Sequence, residues 1–167
     1  MRTSTVLSIR VQNHFGVLMR VTTIFSRRAY NIKSLTVAET QDPSISRITI
    51  LMEGDENSAE NMRRLLLKQE DVLDAAVLPH SEVISRQLLL LKVAQSPEVE
   101  RVITVLTMDY QVKIISRDDD RVILQVAGTP AEVDCVLKEL EPFGIIEVCP
   151  TGISAVSAGK ETIFKED

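Results

Sequence analysis

The sequence predicts an α+β fold made of two tandem βαββαβ units. Three observations lead there. Short runs in which apolar and polar residues alternate, the mark of half-buried strands, are interleaved with stretches of helical period. The order strand, helix, strand, strand, helix, strand occurs twice within 167 residues. Two pairs of segments also align in pattern: SRITILMEG (Ser46 to Gly54) lies over DRVILQVAG (Asp120 to Gly128), and DVLDA (Asp71 to Ala75) over GIIEV (Gly144 to Val148). Internal similarity of this kind argues for two copies of one supersecondary unit.

In the first copy, Leu7, Ile9 and Val11 alternate with Ser8 and Arg10 and predict a strand. Val17, Leu18, Val21, Ile24 and Phe25 then recur at helical spacing, and Arg27 and Arg28 suit the negative end of that helix. Ile32 to Glu39 read as a second strand, Asp42-Pro43 as a turn, and Ile48, Ile50 and Met52 as a third strand that Gly54 ends. Asp55, Asn57 and Ser58 offer N-caps for a helix carrying Met62, Leu65 and Leu66, and Val72 to Leu78 form the last strand, stopped by Pro79.

The second copy repeats the plan. Leu89, Leu91 and Val93 echo the first strand. Ser96-Pro97-Glu98 is a strong helix start, with a cap, a proline at the first position and an acid in the first turn. Val99, Val102, Ile103 and Leu106 make the buried stripe of that helix, and Val112, Ile114 and Ile115 the next strand. An acidic turn at Asp118, Asp119 and Asp120 precedes the central strand. Thr129-Pro130 opens a helix with the stripe Val133, Val136, Leu137 and Leu140, Gly144 ends it, and Ile145 to Val148 close the unit.

A βαββαβ chain folds as an antiparallel sheet with both helices on one face, the ferredoxin-like plan. We expect one unit over residues 1–79, a linker over 80–85, a second unit over 86–153 and a polar, frayed tail over 154–167. The helix-free face of the first sheet carries Ser8, Arg10, Thr49 and Leu51, a mixed set, so a second domain or chain should cover it or the sheet edges.

Composition excludes several functions. The net charge of −5 repels nucleic acid and anionic membrane, and aromatics at 4% leave few platforms for stacking bases. RNA-recognition motifs share the βαββαβ order but need aromatics in the central strands, where SRITILMEG and DRVILQVAG have none. MRTSTVLSIRV lacks the apolar core of a secretory signal, and no apolar run approaches the ~18 residues of a membrane span, which points to the cytoplasm. Cys135 and Cys149 form no C-x-x-C and read as buried free thiols in a reducing compartment.

The candidate binding motif is Asn13-x-x-Gly16, where the first strand turns into the first helix. A helix start presents backbone N–H groups without carbonyl partners, which suits a carboxylate or phosphate. Read alone, Gly16 could only ease a turn and Asn13 could only cap the helix. Asn31 alone is a turn residue after a helix. Arg20, Arg27 and Arg28 read as a solvated helix face, with a partner contact as the alternative.

Four runs decide between these readings: NHFGVLMRV (Asn13 to Val21), IFSRR (Ile24 to Arg28), YNIKSLTV (Tyr30 to Val37) and SRITI (Ser46 to Ile50). In this order and spacing the first copy resembles an ACT domain, the amino-acid-sensing βαββαβ module. The whole chain resembles the regulatory small subunits of acetohydroxyacid (acetolactate) synthase, the second copy more loosely. The resemblance implies a non-catalytic subunit that activates the catalytic (large) subunit and confers feedback inhibition by valine or another branched-chain amino acid. It implies a homodimer through ACT domains, with the effector between two of them: the loop of Asn13 and Gly16, the N–H groups from Gly16 to Leu18 facing the carboxylate, Asn31 from the partner copy, and Val17, Leu18 and Ile32 as apolar walls. Thiamine diphosphate, Mg²⁺ and FAD are then expected on the catalytic subunit, with no cofactor or metal in this chain. A stand-alone ACT-domain sensor for another enzyme or regulator is the alternative.

The second copy lacks the motif. Its loop is Ala94-Gln95-Ser96-Pro97, without glycine, and the stretch from Val93 to Arg121 is eight residues shorter than that from Val11 to Arg47. We expect it to bind no valine in the same way and to serve as scaffold or docking surface. His14 and His80 show no metal-ligand spacing, and no P-loop, G-x-S-x-G or G-x-G-x-x-G occurs, so no catalytic residues are expected.

Overall fold

The computed structural model describes residues 4–78, 83–158 and 162–164. The chain forms two compact units, Met1–Ile84 together with Gly152–Asp167, and Ser85–Thr151. In the first, β1 (Ser4–Gln12), α1 (Val17–Arg27), β2 (Ile32–Glu39), β3 (Ile45–Glu53), α2 (Glu56–Leu66) and β4 (Val72–Leu78) follow in the predicted order. The sheet order is β2-β3-β1-β4, antiparallel throughout. Alternation decides the faces. Leu7 opposite Ile50 and Ile9 opposite Ile48 point to the helices and are buried with Val17, Val21 and Phe25 of α1 and Met62 and Leu66 of α2.

The opposite face is covered by the chain's own C-terminal segment, contrary to both expectations for this region. Val6 faces Leu51, Ser8 faces Thr49 and Arg10 faces Arg47. Over them lie Ile153, Ala155 and Phe164, all buried, and Ser154–Ser157 form a short strand, β9. Arg47 donates through Nε to Ser8 Oγ at 3.0 Å and through Nη2 to the carbonyl of Ala155. The guanidinium groups of Arg10 and Arg47 stand 5.0 and 5.6 Å from the centroid of the Phe164 ring. Burial lowers the pKa of Arg47 without removing its charge, so the ring and the carbonyl meet a cation partly out of water. A Cβ on Gly152 would lie 2.4 Å from Thr36 Oγ1 and 2.8 Å from the Leu35 carbonyl oxygen, so glycine is what lets the backbone pass this close to β2. The described residues of 154–167 are thus held rather than frayed. Of the predicted linker, residues 80–82 and the neighbouring Pro79 lie outside the described residues, and Val83 to Ser85 already belong to the next strand, β5 (Val83–Ala94).

The second unit repeats the plan with β5 (Val83–Ala94), α3 (Pro97–Asp109), β6 (Gln111–Arg117), β7 (Arg121–Gly128), α4 (Pro130–Leu140) and β8 (Ile145–Pro150), in the sheet order β6-β7-β5-β8. Its core joins Leu89, Leu91 and Val93 to Val99, Ile103 and Leu106 of α3 and Val133, Val136 and Leu140 of α4. The two thiols are free but exposed, not buried. Cys135 falls between the inward positions of α4, and Cys149 lies on β8, at the edge of its sheet. Among the described residues no helix is long and apolar enough to cross a membrane.

Candidate effector site

The first unit turns from β1 into α1 through Asn13, His14, Phe15 and Gly16. Backbone bonds fix both ends of the turn: the N–H of Gln12 donates to the Asp71 carbonyl at 2.9 Å and that of Asn13 to the Ser44 carbonyl at 2.6 Å. Gly16 is the N-cap residue at φ 85°, a conformation that favours glycine, and a Cβ there would stand 3.0 Å from Arg20 Nη1. The N–H of Val17 donates back to the His14 carbonyl at 3.4 Å, and the first helical bond runs from Arg20 N–H to the Gly16 carbonyl at 3.1 Å.

No side chain caps α1. The three other α-helices of the described residues are each capped: Asp55 accepts from the Ser58 N–H, Ser96 from Val99 and Thr129 from Glu132. Among the described residues no backbone carbonyl meets the N–H groups of Leu18 and Met19. These are the second and third helical positions, where a capping oxygen would bind.

Asn13 does not cap the helix. Its Nδ2 donates to Glu39 Oε1 at 3.0 Å and to the Pro43 carbonyl at 2.9 Å. Both partners accept only, which fixes the amide orientation and directs Oδ1 away from them as an acceptor. Gln12, Asn13, His14, Ser44, Ile45 and Leu73 line an open depression of about 420 Å³ beside the turn. Leu18 is 41% exposed and Phe15, at the tip, 99%. Val17 is only 3% exposed and packs into the core, so its side chain lies behind the loop instead of walling its front.

Asn31 and Ile32 stand elsewhere. Asn31 immediately precedes β2, its carbonyl accepting from the Glu53 N–H at 2.9 Å, and Ile32 packs half-buried against the core. Asn13 is bonded to Glu39 at the far end of the same strand. Eight residues at about 3.3 Å each put the two asparagines about 25 Å apart within one chain. Only a second copy could bring an Asn31 to an Asn13.

Two partners of the turn escape the sequence reading. Arg20, read there as a solvated residue, donates through Nε to Asp71 Oδ2 at 2.5 Å, and His14 Nε2 lies 2.9 Å from Asp71 Oδ1. The hydrogen bond from Arg20 holds the Asp71 carboxyl below its usual range, and the charge of His14 adds to the effect. Nothing local in the sequence links position 71 to positions 14 and 20.

The helix-backed antiparallel sheet has the ferredoxin-like plan of an ACT domain, and residues 7–74 match the family described as the AHAS small subunit-like ACT domain. Residues 86–159 match the family described as the small subunit of acetolactate synthase. The chain belongs to the acetolactate synthase small-subunit family. It is 31% identical to the acetolactate synthase small subunit of Bacillus subtilis, over 93% of this chain and 91% of that one. It is 36% identical to the isozyme 3 small subunit of Salmonella typhimurium, over 92% and 95%. The crystal structure of the acetolactate synthase small subunit from Thermotoga maritima superposes with a TM-score of 0.86 at 27% identity, covering 95% of this chain and 99% of that one.

Proposed function

We propose that this chain raises the activity of the thiamine-dependent catalytic subunit of acetolactate synthase and makes that enzyme answer to valine, the feedback signal of branched-chain amino acid biosynthesis. The observation that carries the reading is the uncapped start of α1, where the Leu18 and Met19 N–H groups lack partners among the described residues. A valine carboxylate takes the place of the missing cap, favoured also by the positive end of the helix. Asn13 Oδ1 accepts from the ammonium group. Leu18 of one copy and Ile32 of a second flank the isopropyl group, and Asn31 of the second copy adds a polar contact in a homodimer of ACT domains. Each charge-assisted hydrogen bond contributes about 1.5–3 kcal/mol, and burying the isopropyl group a similar amount. Less the cost of association, this gives micromolar-to-millimolar affinity, suited to a metabolite sensor.

Because the ligand bridges two copies, it favours the dimer arrangement in which it fits. A difference of about 1–3 kcal/mol between arrangements is enough for 5–150-fold regulation. Thiamine diphosphate, Mg²⁺ and FAD belong, in this reading, to the catalytic partner. The test is acetolactate formation by the matching catalytic subunit alone, with this chain, and with this chain plus valine. Activation that valine reverses is expected; no activation contradicts the regulatory role, and activation indifferent to valine contradicts the effector assignment.

A further inference from the structure

We propose that Glu39 is a positioning residue for the effector loop. Together with the Pro43 carbonyl it locks the Asn13 amide so that only an acceptor is left for a ligand, and the site thereby selects α-amino acids over α-hydroxy and α-keto acids of the same skeleton. The inference rests on the reading of this loop as the effector site, and it concerns the side chain of Asn13, not the start of α1. The β2–β3 hairpin grips Asn13 at three points. The Asn13 N–H donates to the Ser44 carbonyl at 2.6 Å, and Nδ2 donates to the Pro43 carbonyl at 2.9 Å and to Glu39 Oε1 at 3.0 Å. The turn that supplies the two carbonyls is itself fixed. The N–H and the hydroxyl of Ser44 both donate to Asp42 Oδ1, at 2.8 and 2.7 Å, and the Ile45 N–H donates to the Asp42 carbonyl at 3.0 Å.

A primary amide has two N–H bonds, and both are used here. A flipped amide would set its oxygen against a carboxylate oxygen and a carbonyl oxygen, with no proton between them. Asn13, Ser44 and Ile45 border the open depression of about 420 Å³, so a ligand there meets an amide that can accept but not donate. Three ligand classes meet it differently. An ammonium group brings several N–H donors and a positive charge, and a charge-assisted hydrogen bond is roughly twice as strong as a neutral one. A hydroxyl brings one donor and no charge. A keto oxygen brings no donor and faces the amide acceptor to acceptor. Glu39 is exposed, so solvent screens its charge and its effect is carried by the hydrogen bond to Asn13. Without that bond, the Asn13 amide is free to turn an N–H towards the ligand, which favours a hydroxyl or keto oxygen at the expense of an ammonium group.

The test is calorimetric titration of the full chain with L-valine and with the α-hydroxy acid that carries the same isopropyl side chain. The unaltered chain should prefer the amino acid by about tenfold or more. Glu39→Ala should shrink that preference roughly threefold to tenfold, with a melting temperature close to that of the unaltered chain because the side chain is exposed. Glu39→Gln, which still offers Asn13 an acceptor, should recover most of the preference. Asn13→Ala should shrink the preference at least as far as Glu39→Ala does, and combining the two substitutions should shrink it no further, because Glu39 acts through Asn13. A preference unmoved by Glu39→Ala, or losses that add in the double variant, overturns the role of Glu39 alone. No valine binding by the unaltered chain overturns the effector-loop reading and this inference with it.

Discussion

The two units start their first helices in opposite ways. In the second unit, Ser96 accepts from the Val99 N–H and Pro97, which has no N–H, occupies the first helical position, so the helix start carries its own cap. In the first, Gly16 stands in the left-handed region with no capping side chain, and the one polar candidate, Asn13, is turned aside by Glu39 and Pro43. The same supersecondary plan therefore yields one helix start with its own capping oxygen and one whose second and third N–H groups meet no partner among the described residues. A cap contributes about 1 kcal/mol, so its omission from α1 alone costs stability that a ligand can restore.

The change that breaks this contrast most severely is Gly16→Asp. Its Cβ would stand 3.0 Å from the Arg20 guanidinium at φ 85°, and its carboxylate would repel a ligand carboxylate or cap the helix in its place. In the reconstituted enzyme, valine response should fall by more than about tenfold while activation persists. Next in size is Phe164→Ala, which removes the ring between Arg10 and Arg47 and opens the covered sheet face. Denaturant unfolding should report a loss of roughly 2–4 kcal/mol in the first unit, with the second unit unchanged.

Removing the cap from the closed helix start sharpens the comparison further. Ser96→Ala should cost about 1 kcal/mol in the second unit and leave valine binding as it was. The smallest effect is a gain. The chain leaves α1 through a Schellman arrangement, Tyr30 N–H to the Phe25 carbonyl and Ala29 N–H to that of Ser26, with Ala29 at φ 55°. Ala29→Gly should raise stability by a few tenths to about 1 kcal/mol in thermal unfolding.

Acid should weaken the first unit before the second on one account. Hydrogen bonding from Arg63, with Arg64 adding to it, holds Glu60 on α2 down to about 2 from its usual 4.5. A carboxyl depressed in the folded state stabilises it above its unfolded pKa, and that contribution disappears as pH falls from about 4.5 towards 2. The Glu60→Gln variant should therefore show a flatter acid limb in its melting temperature.

The elements were legible because their signals are local. Alternation along Leu7, Ile9 and Val11 needs no partner to be read, and neither does a serine before a proline at Ser96-Pro97. The tail was not legible. Ile153, Ala155 and Phe164 are scattered among polar residues, and the Arg47 that donates to the Ala155 carbonyl is 108 positions away. Cys135 was misjudged for a related reason: thiols are usually buried, but the stripe of α4 at Val133, Val136 and Leu140 leaves position 135 facing outward. At the candidate site the motif marked the loop that leads into the uncapped helix. It did not show that Val17 belongs to the core, or that Asp71 gathers His14 and Arg20.

The most direct measurement is the backbone amide spectrum of the ¹⁵N-labelled chain titrated with L-valine. The account predicts that the largest shifts fall on Gly16 to Met19 and on Asn31, and that Ser96 to Glu100, the matching turn of the second unit, stays still. Shifts confined to the second unit, or spread equally over both helix starts, would contradict it.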